Sequence, residues 1–558
     1  MNLVALPILL TLSTALTTLV WRRPSTARRG FVLGSVVAQL GVATWLVFAS
    51  WTKGPLVMLM GNWGVPWGIV FVIDLFSAIM LWLAAVTVLA GLLYGFYELP
   101  VRLEHPLRLP LLQFLAFGIH ASFCTGDLFN LFVAFEVMLI ASYALLTLEA
   151  DNWDIKQAFP YVAINLVGST LFLGAVGLVY GFLGTLNFAD LSERADSLAG
   201  DPRLTMLGTL LLMVFGIKAG LFPLYYWLPH SYPTLPTPLA AIYSGMLTKV
   251  GIYAMVRLLG TVWPHERTLL HEGLAWVSGF TMLVAVIGAI SRNYIRGILS
   301  FHILSQVAFM TLAVGFFTPW GVTAAIFYIM HHIIVKSSLF LIGGVGACLN
   351  RTDDLARMGG LWRVAPGLGV LFLCQALSLA GLPPLSGFWG KYLIVVEGLR
   401  LREYVLVGAS VVASLLTLFS MIKIWMAAFW TEPSHSVVHA EDPRWRPMTR
   451  VVGAMTVLSL GIGLGAEGAV QLAARAAQGV FNREAYRQAV MSARGKEVFH
   501  FGPAQEETAR RMRPEHASSG QLGAKGGARS PGDFQSEGHR IVGASGREPA
   551  CRTLDKGT

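Results

Sequence analysis

The sequence predicts an all-α, polytopic membrane protein of about fourteen transmembrane helices. Three observations carry that reading. The 558 residues are 55% hydrophobic and only 13% charged, where a soluble domain carries about 25% charged residues. Apolar runs recur from the first residues to about Ala474, each long enough to cross a hydrocarbon core of roughly 30 Å. Inside those runs sit Glu136, Lys218, Lys249, Lys336 and Lys391. A charge at that depth costs roughly 2.5–3.5 kcal/mol on insertion scales, and a chain keeps one mainly where it faces a wet interior and handles protons or ions.

The elements follow in order. The run from Leu3 to Trp21 has no basic start and is too long for a secretory signal, so it reads as the first span. The spans are expected at 2–21, 30–51, 67–94, 108–124, 128–148, 160–184, 203–222, 237–258, 272–291, 297–317, 320–347, 364–397, 404–430 and 449–474. The stretch 364–397 exceeds one straight helix, and Pro383 and Pro384 split it. Basic residues cluster in alternate loops: Arg22, Arg23, Arg28 and Arg29 after the first span, Arg351, Arg357 and Arg363 after the eleventh, Arg444, Arg446 and Arg450 after the thirteenth. The positive-inside rule then places these loops in the cytoplasm and both termini outside, in a multi-pass protein of the cell membrane. From about residue 491 the chain is rich in Gly, Ser and charge and is expected to be a disordered polar tail.

The net charge of +10 sits in short loops and in the tail, without an aromatic-interleaved basic face, so nucleic acid is not an expected partner. Cys124, Cys348, Cys374 and Cys551 form no CxxC pair, which argues against an iron–sulfur cluster or zinc knuckle. No GxxxxGK[ST] and no GxGxxG in a strand–helix unit is present, so no cofactor is expected and the energy must come from an ion gradient or a partner.

An internal echo bears on function. Ala219–Leu224 reads AGLFPL and Ala380–Leu385 reads AGLPPL, each after an apolar helix and before an aromatic-rich stretch. Helices broken by Gly and Pro at matching places in two halves point to a transporter's site. Unwound backbone at that depth is tolerable only inside protein or along a water cavity.

Glu136, in LFNLFVAFEVMLIASY, can relay a proton, because burial favours its neutral form and a nearby ammonium its anion. The competing reading is a buried pair that never titrates. Lys218, in MVFGIKAGLFP, precedes the first break, where snorkelling to an interface is the alternative role. Pairing it with Glu136 is an expectation. Lys249 is mid-span, where snorkelling is hard, and is the better central carrier. His332 and Lys336 are four apart and share a helix face, so imidazole can pass a proton to the amine. His331 points a quarter-turn away and reads as a packing residue. Adjacent histidines do not easily share a tetrahedral ion, so no metal site is expected. Lys391, after GLPPLSGFWGK, takes the place of a terminal carrier. Lys423 is a weaker candidate, Asp74 reads as a cap or interhelical partner, and Arg296, His302 and Gln306 could continue a polar file.

TGDLFNLFVAFEVMLIASYALL, GIKAGLFPLYYWLP, PTPLAAIYSGMLTKVGIYA, RGILSFHILSQ and GLPPLSGFWGK resemble the antiporter-type subunits shared by respiratory complex I, membrane hydrogenases and multi-subunit cation/proton antiporters. The resemblance covers about residues 1–475 and is nearest in wording to the D-subunit of the Mrp-type Na+/H+ antiporter. It implies fourteen helices with two inverted five-helix repeats, each with a broken helix. The expected organisation is N-terminal helices at 1–107, a first repeat at 108–258, a second at 259–430, a last helix and flank at 431–490, and the tail at 491–558. It implies a proton relay through Glu136, Lys218, Lys249, His332, Lys336 and Lys391. It also implies an obligate hetero-oligomer in the lipid bilayer that exchanges H+ for Na+ (in some relatives K+ or Li+). Some members carry two histidines four apart in the eleventh span, whereas Tyr328 holds the earlier position here; the relay at that point would be shorter or water-mediated. The same motifs fit a pumping, non-redox subunit of an NADH–quinone oxidoreductase or membrane hydrogenase, or a scaffold whose charges only lock helices.

Overall fold

The computed structural model describes residues 3–265, 267–432 and 441–493. Nearly all of the expected tail, from residue 494, lies outside the described residues, as does Cys551.

The helices run α1 Leu6–Val20, α2 Thr26–Lys53, α3 Leu75–Glu98, α4 Arg108–Cys124, α5 Leu128–Thr147, α6 Asn152–Leu183 and α7 Phe188–Ser197. They continue as α8 Pro202–Ala219, α9 Trp227–Ser231, α10 Thr237–Arg257, α11 Leu269–Ile290, α12 Ile295–Gly315 and α13 Pro319–Asn350. The last are α14 Leu361–Val364, α15 Pro366–Ala380, α16 Ser386–Arg400, α17 Tyr404–Ile424, α18 Trp445–Leu464, α19 Ala466–Phe481 and α20 Arg483–Met491. Among the described residues, 12 helices are long and apolar enough to cross a membrane, and α15 is a shorter apolar helix.

The expected all-α membrane fold stands, with local differences. The stretch 67–94 begins as a strand: Leu56–Leu59 pairs antiparallel with Val70–Ile73, and α3 starts only at Leu75, capped by Asp74. The run 449–474 is two helices, because the chain turns at Gly465 between α18 and α19. Apolar content alone cannot reveal that turn, since both sides of it are apolar. The short α7 and α20 fall outside every expected span.

Burial sorts the bundle into layers. The α10 segment and α12 are enclosed along their whole apolar length and α13 nearly so, whereas α2, α6, α17 and α18 present much of theirs outward. A helix apolar on all sides belongs inside a large bundle. The ionisable residues on α10 and α13 therefore sit at its centre, fully buried. The cap residues explain where several helices begin. Asp127 accepts from the Asn130 backbone N–H at 2.8 Å, Asp151 from Trp153 and Asp154, and Thr318 from Gly321, with Pro319 opening α13.

Candidate functional site

The first break is built by α8. The helix ends at Gly220, a left-handed residue (φ +80°), and the N–H groups of Gly220 and Leu221 both return to the Gly216 carbonyl at 2.9 Å. Glycine adopts this backbone without Cβ strain. Lys218 in that last turn is 3% exposed. Its Nζ donates to the Asn165 carbonyl at 3.1 Å and to Ser169 Oγ at 3.0 Å, both on α6. Glu136 on α5 is close enough for its charge to act on Lys218. The two make no ion pair within 4 Å among the described residues, and Glu136 Oε1 is buried without a hydrogen-bond partner. The expected direct contact is thus absent, and α6 supplies the acceptors instead. Phe215 packs edge to face against Phe135 and Phe172, which meet each other at a tilt, and the three rings keep the site apolar.

The centre lies between α10 and α13. Lys249 is fully buried, and its Nζ donates to the Ser244 carbonyl at 2.5 Å. The charges of Lys249 and Lys336 act on each other and on His332. Both nitrogens of His332 and the Lys336 Nζ are buried with no hydrogen-bond partner. A buried polar group without a partner forfeits roughly 1–3 kcal/mol. Three such groups together mark a place where polarity is retained against stability. Lys336 also faces the Phe340 ring at 5.9 Å.

The second break repeats the first in backbone. Gly381 (φ +94°) ends α15, and Gly381 and Leu382 both donate to the Leu377 carbonyl. Lys391 on α16 donates to the Ala380 carbonyl at 3.0 Å and lies 4.6 Å from the Phe309 ring centroid. A cation at a helix C-terminus is favoured by the unpaired carbonyls there. Lys391 lines a cleft of about 300 Å³ with Gly381, Tyr392 and Ser410.

The remaining candidates divide. Asp74 caps α3 and pairs with Arg257 in a fully buried cluster with Ser77 and Tyr253, as a helix-joining group should. Lys423 closes the C-terminal end of α11, donating to the carbonyls of Ile290 and Arg292 and to Asn293, and stands apart from the central amines. Arg296 pairs with Asp353 at 2.9 Å outside the core. His302 and Gln306 are fully buried: His302 Nε2 meets Ser420 Oγ at 2.5 Å, and the Gln306 carbonyl accepts from the Tyr328 hydroxyl. His331 does more than pack. Its Nδ1 meets Ser386 Oγ at 2.8 Å, and the Lys391 charge acts on it. Among the described residues no group of three or more His, Cys, Asp or Glu could hold a metal ion.

The α6 acceptors went unanticipated. Only Ser169 carried a signal, as a hydroxyl in an apolar run; the Asn165 acceptor is a backbone carbonyl, which no residue type announces. Asp127 and Asn130 in TGDLFN serve locally: Asp127 caps α5, and Asn130 Nδ2 donates to Thr125 Oγ1 at 2.9 Å.

The family described as NADH:quinone oxidoreductase/Mrp antiporter, TM, matches residues 125–417. The chain is 38% identical, over 88% of its length and 99% of the relative's, to the Na(+)/H(+) antiporter D-subunit of Alkalihalophilus pseudofirmus. It is 34% identical to the like-named protein of Bacillus subtilis, over 88% of its length and 99% of the relative's. In the solved structure of the Mrp complex from Dietzia sp., one chain superposes with a TM-score of 0.81 at 29% identity, covering 88% of this chain and 99% of that one. The matched segment holds both breaks and every relay candidate, and the chain belongs to the NADH:quinone oxidoreductase/Mrp antiporter family.

Proposed function

We propose that the chain is the proton-translocating subunit of a multi-subunit monovalent cation (Na+)/proton antiporter of the cell membrane. The observation that carries this is the cluster of Lys249, His332 and Lys336, fully buried between α10 and α13, with the His332 nitrogens and the Lys336 amine free of hydrogen-bond partners. Likeness to the Na(+)/H(+) antiporter D-subunits of two bacteria supports the choice of antiporter.

In this reading a proton arriving near Glu136 repositions charge at Lys218. That charge biases Lys249, and His332 and Lys336 pass the change to Lys391 beside the second break. Each step is an exchange between groups whose charged forms are held by different neighbours, so moving one charge alters the proton affinity of the next. The two breaks head two inverted repeats, and both termini lie outside the cell. Na+, or K+ or Li+, crosses elsewhere in an assembly whose other subunits complete the exchanger, so the protein acts as a transporter subunit rather than an enzyme. The solved structure it superposes on is that of a complex, which supports partner subunits.

The test is Na+-dependent proton flux in everted vesicles from an antiporter-deficient host carrying the whole gene set. Omitting this chain should abolish flux. Glu136→Ala and Lys218→Ala should leave the complex assembled and slow the flux. Lost assembly with no separable transport defect would favour a scaffold. Co-purifying iron–sulfur proteins would favour a redox complex, which the family description also covers.

A further inference from the structure

The central amines need contact with bulk water on at least one face, and α3, α10 and α13 build a candidate route. Glu98 is the last residue of α3, and its carboxylate comes within electrostatic reach of Thr237, the first residue of α10. The charges of Arg108, Arg296 and Arg444, at the same ends of α4, α12 and α18, act on it. Tyr94 and Cys348 are its other titratable neighbours. The proposed orientation makes this arginine-rich face cytoplasmic.

One turn inward, Tyr94 is fully buried and its hydroxyl has no hydrogen-bond partner. A Cβ built on Gly344 of α13 would lie 2.6 Å from Tyr94 Oη and 2.7 Å from Thr237 Oγ1. Both hydroxyls therefore press against the α13 backbone, which only glycine permits. Two turns deeper the same three helices meet again. A Cβ on Gly245 would lie 2.5 Å from Ser337 Oγ and 3.7 Å from Thr87 Oγ1. Tyr94 and Thr87 are seven residues apart on α3, Gly344 and Ser337 seven apart on α13, Thr237 and Ser244 seven apart on α10. Each helix thus advances about 10 Å between the layers and keeps the same face inward. The inner layer ends on the Ser244 carbonyl, which accepts from Lys249 Nζ, and on Ser337, which adjoins Lys336.

We infer that Glu98 is the proton-collecting group through which Lys249 and Lys336 exchange with water on the arginine-rich face, by way of Thr237, Tyr94 and the Thr87–Ser337 layer. The inference rests on the function proposed above. A proton taken from bulk water protonates the Glu98 carboxylate. It passes to the Thr237 and Tyr94 hydroxyls as each accepts one proton and donates its own, and transient water carries it across the roughly 10 Å between layers to an amine. The reverse sequence releases protons.

The test uses the assembled complex in everted vesicles, whose outer medium bathes this face. It compares Glu98→Gln, Glu98→Asp, Tyr94→Phe and Lys249→Ala. Glu98→Gln should slow Na+-coupled proton flux on the order of a hundredfold and flatten its dependence on medium pH. Glu98→Asp should restore most of the rate, and Tyr94→Phe should slow it several-fold. Wild-type flux and an unchanged pH profile in Glu98→Gln would overturn the inference. If Glu98→Gln fails to assemble, Tyr94→Phe decides, because it leaves the charge cluster intact; wild-type flux there overturns the inference equally. Lost flux in Lys249→Ala beside normal Glu98→Gln would sink this route alone, whereas normal flux in Lys249→Ala would sink the proposed function.

Discussion

At the break after α8, the lysine stands before the left-handed glycine and reaches sideways to α6, where a carbonyl and a hydroxyl accept from it and the Glu136 carboxyl lies near enough to act on it. At the break after α15, the lysine comes ten residues after the glycine and reaches back to the Ala380 carbonyl, with the Phe309 ring on one side and, among the described residues, no carboxylate charge acting on it. The echoed backbone, with N–H pairs returning to Gly216 in one case and Leu377 in the other, is one device used twice. The side chains around it are not. The first break sets an amine near an acid, while the second sets an amine whose charge acts on His302 and His331. The two breaks share a way of opening backbone inside a membrane and differ in the side chains around it.

Five substitutions, in three tests, press on that contrast. The largest effect belongs to Lys391→Ala, which removes the second half's amine. Coupled proton flux should fall on the order of a hundredfold or more, and Glu136→Gln should cost roughly tenfold because Lys218 keeps its two α6 acceptors. Equal losses in parallel flux assays would erase the distinction.

Next comes the pair Gly220→Ala and Gly381→Ala. Each forces an L side chain into the left-handed region at a cost of about 1–2 kcal/mol, readable as faster thermal inactivation of the complex. The new methyl at 220 would meet Leu304 Cδ2 at 2.7 Å, and the one at 381 would meet Lys391 Cδ at 2.8 Å. Gly381→Ala should therefore lower flux beyond its stability cost, and Gly220→Ala should not. The opposite ranking would detach Lys391 from the break.

The smallest effect lies at the edge of the first half, which α20 secures and for which the second half has no like clasp among the described residues. Arg483 donates to Asp196 at 2.6 Å, and Arg487 reaches the other carboxylate oxygen. Burial pushes the Asp196 carboxyl up, but the two guanidiniums outweigh it and hold the group below the usual carboxylate range. Because the folded-state value is lowered, this stabilisation is complete above the unfolded value near 4 and disappears as pH falls through the folded one. At neutral and alkaline pH, Asp196→Asn should loosen α20 by about 0.5–1 kcal/mol, given the partial exposure. Hydrogen exchange of α20 amides should speed up accordingly, with wild type and variant converging in acid. No difference at neutral pH would remove the clasp.

Much of this was readable beforehand, and the exceptions have physical reasons. Apolar runs place most spanning helices within a few residues, though α3 begins eight residues later than expected and α6 eight residues earlier, and AGLFPL and AGLPPL mark both breaks because Gly and Pro act through local backbone geometry. The Val70–Ile73 strand and the Gly465 turn were not foreseen, since each lies within a run read as one continuous apolar span. Among the site residues, His332 and Lys336 share a face as the spacing requires. The missing Glu136–Lys218 contact and the Asn165 carbonyl as an acceptor depend on how α5, α6 and α8 pack, which no local pattern encodes. Glu98 resembles an ordinary surface charge in sequence, and only the convergence of α3, α10 and α13 gives it a route inward.

The central claim is that the amine at the middle of α10 carries protons. The direct measurement is Na+-dependent proton flux in everted vesicles containing the whole complex with Lys249→Ala, alongside quantification of the assembled complex. The account predicts normal assembly with flux reduced to background. Full assembly with wild-type flux would contradict it.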